Sequence, residues 1–429
     1  MKWLYFLAAL LLPGCVSSGP ARDSLDWIAR DYVKLQLAIG EKEEGYIDAY
    51  YGPPEWQAEA RIKSDTPAAL AQRAAVLTVR LKSVADGRLD PMERRRRDFL
   101  LAQLKAASTR LAMMQGVKLP FADEAEALFG VRPDLKPLSA YDPLLDRIER
   151  LVPGKGPLSD RVDAFQERFT IPADRLDPVM RAAIAECRRR TVGHIALPAN
   201  ERFTLEFVTG KSWGGYNWYK GDSSSLIQIN TDLPVRIGRA VDLGCHEGYP
   251  GHHVYNMLLE ERLAKARGWV EFTLYPLYSP QSFIAEGSAN YGIELAFPGD
   301  EQVEFETRTL YPLAGLPASS ASQYLALQRA TQGLAGARFT IAADYLDGRI
   351  DRAKAVELIR KYQLFSEVRA EKSVAFIDQY RSYVINYGLG LDMVRAAVER
   401  AGADPEARWA AMEKMLSEPT LPSGLKVDR

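Results

Sequence analysis

Histidine is scarce in this chain, with four in 429 residues, and cysteine is scarcer still, with three. Three cysteines are no disulfide framework. Neither sign of charge is in excess: 55 Lys and Arg face 56 Asp and Glu, for a formal net charge of −1. That balance excludes a bulk electrostatic pull toward nucleic acid, and no basic cluster with interleaved aromatics appears. The run Arg94 to Arg97 sits in a helical pattern and reads as a solvated face. No internal repeat stands out, nor a low-complexity tract long enough to be a linker. The apolar run Leu4 to Leu12 is far short of the ~20 residues that span a bilayer as a helix.

What is present is ordinary globular material, 47% apolar and 26% charged. The length suits one large domain or two to three small ones. The rare histidines, however, are not scattered. Three of the four fall within Asp242-Leu-Gly-Cys-His246-Glu247-Gly-Tyr-Pro-Gly-His252-His253. Neutral imidazoles bind zinc, and a neighbouring carboxylate can take a proton from water at the metal.

The spacing does not fit a straight helix, where each residue turns about 100° and rises about 1.5 Å. His252 would point roughly 120° away from His246, and His253 would lie about 10 Å further along the axis. So either the histidines are structural, or the helix is interrupted. Pro250 supplies an interruption, since it has no N–H for the carbonyl of His246, and Gly251 can follow the kink. Looping out about two residues would bring His252 to the position of the second histidine in H-E-x-x-H. His253 would then point elsewhere, toward the cleft wall, and which of the two is the ligand stays open. Asp242 lies one turn before His246, as a partner of the histidine or a surface acid.

H-E-G-Y-P-G-H-H resembles the H-E-x-x-P-G-H-H signature of a bacterial family of unknown function, many of whose members are lipoproteins. That family resembles the zincin metallopeptidases, especially the largely helical carboxypeptidase Taq type. Tyr46-Ile-Asp-Ala-Tyr-Tyr-Gly-Pro and Glu286-Gly-Ser-Ala are similar to family segments too. The resemblance implies a mainly α zincin-like domain with a small antiparallel β-sheet and a deep cleft. It implies one Zn2+ ion held by His246, His252 and a downstream glutamate, with Glu247 as base. Glu286 is the candidate third ligand, followed by small residues that allow close helix packing; Glu294 is the runner-up, and Asn290 could support a ligand. Zincins use a Tyr or His at the oxyanion, and carboxypeptidases an Arg or Lys for the substrate carboxylate. Tyr383 and Tyr387 are candidates for the first role and Arg381 for the second. Arg308-Thr-Leu-Tyr311-Pro also resembles a family segment that could line the cleft.

Along the chain, residues 1–20 read as a signal segment and tether. Leu12-Pro-Gly-Cys15 resembles a lipobox with Cys15 as the lipidated residue, which implies an anchor in the bacterial envelope facing the periplasm, at the outer membrane. Residues 21–429 read as one domain: helical over 21–200, a small sheet over 201–232, and metal-site helices over 233–429. Leu25 to Leu37, Ala68 to Val84, Pro91 to Met114, Leu144 to Val152 and Asp174 to His194 carry helical periodicity. Phe203, Leu205 and Phe207 alternate with polar residues as a strand does, and Leu226 to Asn230 reads as another. In zincins the edge of such a sheet holds an extended substrate. Thr231 or Asp232 could cap the next helix, with Pro234 in its first turn. Cys245 should pack in the core, and a Cys187–Cys245 bridge could form in an oxidising periplasm. Together these features predict a zinc-dependent hydrolase of peptide or related amide bonds. The alternatives are a hydrolase of non-peptide amides or esters and a non-catalytic metal- or ligand-binding lipoprotein.

Overall fold

The computed structural model describes residues 24–425. The signal segment and Cys15 lie outside the described residues. The fold is mainly α, and helices begin where local chemistry starts them. Asp90 and Glu93 form a reciprocal capping box ahead of Pro91–Met114, with Pro91 in the first turn. One hydrophobic cluster runs from Ile28 and Tyr32 in the first helix to Val394 and Trp409 near the end.

Five strands form two small sheets among the described residues. β1 (Ile47–Tyr50) and β5 (Leu274–Pro276) pair antiparallel, a sheet the sequence pattern did not announce. β2 (Arg202–Val208), β3 (Gly215–Gly221) and β4 (Ser224–Asn230) form the second, in the order β2-β4-β3. This sheet is mixed rather than antiparallel: β3 and β4 make a hairpin, while β2 runs parallel to β4. The hairpin turns at Asp222 and Ser223, both with positive φ, and the turn fixes its direction. With β4 central, β2 pairs from the far side. Residues 210–221 are rich in glycine and aromatics, and their second half is itself a strand, with Asn217 and Tyr219 inward and Tyr216 and Trp218 half-covered.

Two further expectations need correction. The helix leading to the motif starts at Gly238, not near Pro234. Arg236 instead forms an antiparallel bridge with Thr170, flanked by Ile171 N–H to the Val235 carbonyl and Ile237 N–H to the Phe169 carbonyl. Asp232 accepts hydrogen bonds from the amides of Gly210 and Lys211. Second, the arginine run is not wholly solvated. Arg96 is 2% exposed and binds Glu271 through two nitrogens at 2.5 and 3.0 Å, with Asp26 at 2.6 Å. Cys245 is in the core as expected, and the possible bridge is formed: Cys187 and Cys245 are bonded to each other, with Cα atoms 5.3 Å apart and 58 positions apart in sequence. Helical spacing turns Cys245 away from His246 as expected, but toward a partner that only the packing of the helix Leu176–Val192 provides. Closing a loop of that size restricts the unfolded chain by about 4 kcal/mol.

The buried Arg96–Glu271 pair generates a stability prediction. Arg96→Met should destabilise the protein by about 3–5 kcal/mol, because Glu271 is left charged and uncompensated. Arg96→Met with Glu271→Met should recover most of that loss. Denaturant midpoints of the two variants check this, and equal midpoints would refute it.

Candidate metal centre

The motif helix opens at Gly238 and widens into a π turn over Gly244–Gly248. There it stops. Tyr249 is extended, the Tyr249–Pro250 peptide is cis, and a new helix starts at His252. Gly251 passes so close to the preceding turn that a Cβ on it would lie 1.8 Å from the His246 carbonyl oxygen; only glycine fits. The outcome is a reversal that puts the Nε2 atoms of His246 and His252 3.1 Å apart.

The third donor arrives on the helix Pro280–Ala296, which crosses Ile385–Glu399 at two glycines. A Cβ on Gly287 would meet the Gly390 carbonyl at 2.6 Å. That approach places Glu286 beside the histidines and Tyr383 and Tyr387 over them. Glu286 Oε2 is 3.2 Å from His246 Nε2, and Oε1 is 3.7 Å from His252 Nε2. Four-coordinate zinc with bonds of about 2.0–2.1 Å has ligand atoms about 3.3 Å apart. The 3.1 Å between the imidazoles and the 3.2 Å from His246 to Oε2 match that edge length, while the 3.7 Å from His252 is to the other oxygen, Oε1. The Oε2 atom of Glu286 is buried with no hydrogen-bond partner among the described residues, as a donor reserved for a cation would be. The donor set therefore fits a metal ion.

Asn290 orients the first histidine. Its Nδ2 donates to the Tyr387 carbonyl at 3.2 Å, so its Oδ1 accepts from His246 Nδ1 at 3.1 Å. The Nε2 lone pair of His246 is thereby aimed at the cluster. Burial pushes His252 down to about 4, with Glu286 opposing. Burial alone would raise the Glu286 carboxyl, but His252, His246 and Tyr383 outweigh it and hold it below the usual range. Burial would lower His246, yet Glu286 and Glu247 raise it. For Glu247 burial dominates, and the carboxyl is pushed up to about 7, with His246 opposing and Glu286 adding. All four residues are under a tenth exposed.

The remaining expected residues divide. Tyr383 donates its hydroxyl to Glu286 Oε1 at 2.7 Å. The Tyr387 ring lies 6.4 Å from that of His246, nearly parallel to it. Arg381 does not face the site as a free cation. Its Nε binds Glu124 at 2.7 Å, and Ser382 adds a hydroxyl and an amide to the same carboxylate. Glu124 is 1% exposed and requires a compensating cation, so Arg381 belongs to the support of the Tyr383 segment. Asp242 pairs with Arg239, Glu294 with Arg395, and Arg308 with Glu304, while Tyr311 is core. His253 is fully buried away from the cluster, with Nδ1 2.7 Å from Ser225 Oγ and Nε2 3.4 Å from Glu201. Burial would raise Glu201, but His253, Tyr249 and Arg188 hold it at about 2.

Sequence reasoning did not find Asn217, Ser225, Glu201 or Asp48. The Asn217 amide donates to the Glu247 carbonyl at 2.6 Å. Asp48, on β1, accepts from the Tyr216 hydroxyl, and burial pushes its carboxyl up to about 7. Its signal lay in the Tyr46-Ile-Asp-Ala segment, quoted for its likeness to a family and not for chemistry.

No family model matches this chain. No curated protein matches it either. Among solved structures it is similar to a chain from Colwellia psychrerythraea described as "the putative lipoprotein", at 16% identity and TM-score 0.49, covering 91% of this chain and 75% of that one. It is also similar to Trypanosoma cruzi metallocarboxypeptidase 1, at 13% identity and TM-score 0.41, covering 90% of this chain and 87% of the other. A third is an M32 carboxypeptidase from Deinococcus radiodurans R1, at 14% identity and TM-score 0.38, with coverage of 90% and 87%.

The geometry separates the adjacent histidines. Purified protein should hold about one equivalent of metal. His246→Ala and His252→Ala should lose it, while His253→Ala should keep it and melt at lower temperature. Elemental analysis with thermal melts checks this; metal loss from His253→Ala alone would overturn the assignment.

Proposed function

We propose that this chain is a zinc-dependent hydrolase of peptide bonds, carboxypeptidase-like, acting in the bacterial cell envelope. The observation that carries the reading is the convergence of three buried donors at zinc-ligand spacing with a buried glutamate next to one of them. His246, His252 and Glu286 would hold the ion, which when bound polarises a scissile carbonyl and lowers the pKa of water toward about 7. A closed structural site would use four protein ligands and need no Glu247.

Glu247 is the base. Its carboxylate accepts the proton of the attacking water and delivers it to the departing amine. Burial favours the proton-accepting step, since a carboxylate near the pH of the medium both takes and returns a proton readily. Tyr383 commits its hydroxyl proton to Glu286 and orients that ligand. Tyr387, beside His246, is left as the candidate donor to the oxyanion of the tetrahedral intermediate. Arg381 is bound to Glu124 through Nε, and this reading assigns it no substrate contact.

Glu247→Gln keeps size and removes the base. Metal content and melting temperature should stay near wild type. Turnover on whichever peptides a library digest identifies should fall by about 10²–10⁴-fold. Near-normal turnover would sink the mechanism and favour a binding protein.

The envelope location rests on Leu12-Pro-Gly-Cys15, with lipid on Cys15 as the anchor. No helix among the described residues is long and apolar enough to cross a membrane. Cys15→Ser should therefore move the protein from the membrane to the soluble fraction on fractionation. Continued sedimentation with membranes would contradict the anchor.

A further inference from the structure

The third histidine of the motif region, His253, is buried outside the metal cluster, and it stands at the head of a chain of polar contacts. The links from Glu247 back to His253 have determined directions. Asn217 donates Nδ2 to the Glu247 carbonyl at 2.6 Å, so its Oδ1 must be an acceptor. Ser225 Oγ donates to that Oδ1 at 3.0 Å. Having spent its one proton, Ser225 accepts from His253 Nδ1 at 2.7 Å. The other side of the imidazole faces Glu201 at 3.4 Å, and Arg188 holds Glu201 at 2.8 Å. Asn217, Ser225 and His253 are 4%, 2% and 0% exposed, so no water competes for these bonds. The motif helix ends at Gly248, and helix-terminal carbonyls need outside donors; Asn217 is that donor for Glu247.

The same strand meets the other end of Glu247. Gly215 is two residues before Asn217 and on the same face of β3. A Cβ on Gly215 would lie 2.8 Å from Glu247 Oε1 and 2.7 Å from Leu243 Cδ2. One inward position of the strand thus grips the backbone of Glu247, and the previous one leaves room for its carboxylate.

We propose that β3 is the template that sets the base: Gly215 and Asn217 are positioning residues for Glu247, and His253 holds Asn217 in place through Ser225. This rests on the reading of Glu247 as the base. It assigns the last histidine of H-E-G-Y-P-G-H-H to that task and not to metal.

The test uses the zinc-loaded full chain with Gly215→Ala and Asn217→Ala. Both should keep wild-type zinc content, with kcat reduced about 10²-fold and KM nearly unchanged. A second readout needs no turnover. A peptidyl hydroxamate must give its acidic proton to Glu247, so its affinity by calorimetry should fall in both variants. In a Glu247→Gln background neither substitution should weaken the hydroxamate further, whereas a merely structural effect would persist there. Zinc loss in both variants, kcat within about twofold of wild type, or an undiminished effect in the Glu247→Gln background would overturn the proposal. If Asn217→Ala fails to melt cooperatively, Gly215→Ala alone decides, since it deletes no bond. Should Glu247→Gln itself leave turnover and hydroxamate affinity intact, the assignment of the base has failed, and the template falls with it.

Discussion

The lone pairs of His246 and His252 meet because the helix that carries them stops and restarts within three residues. A continuous helix would send the two rings to different faces. The stop has a cost, since it frees helix-terminal carbonyls inside the protein. The surroundings answer it locally: the Gly251 amide returns to the Cys245 carbonyl at 3.0 Å, and Asn217 reaches the Glu247 carbonyl. The disulfide from Cys187 ties the π turn to the neighbouring helix from behind. The metal site, the base and the supporting sheet all depend on this one break being held.

The third ligand depends on a different constraint, the absence of side chains where two helices cross. Gly287 and Gly390 touch backbone to backbone, which places Glu286 within reach of both imidazoles and lets Tyr383 bond to it. Any larger residue at the crossing would move the carboxylate outward. Precision at the centre thus comes from close-packed backbone more than from the ligands themselves.

Around the centre, several ions are buried and each is matched. Arg96 serves Glu271, Arg381 serves Glu124, and Arg188 serves Glu201. Such pairs add little net stability over an apolar pair but are costly to break. They fix the segments that carry Tyr383, β5 and the start of β2. Glu286, Glu247 and Asp48, which gather at the candidate site, have no such arginine pair among the described residues, and Glu306, bonded to Gln302, is likewise a buried acid without one.

The sequence by itself determined the helical texture, the strands at Phe203–Phe207 and Leu226–Asn230, and the clustering of His246, Glu247, His252 and His253; Glu286 came from a family resemblance, and which of His252 and His253 joins His246 stayed open. The first three were legible because periodicity, the Pro250-Gly251 break and scarce residue types are local signals. Strand direction, the Cys187–Cys245 bond and the burial of Arg96 were not, because each depends on a partner far away in the chain. The same holds for Arg381. Nothing near it in sequence distinguishes a cation that meets substrate from one that meets Glu124, and 257 residues separate the pair. Asn217 and His253 were beyond local reading for the same reason. A side chain's hydrogen-bond partner is set by which elements pack together, and only the tertiary structure decides that.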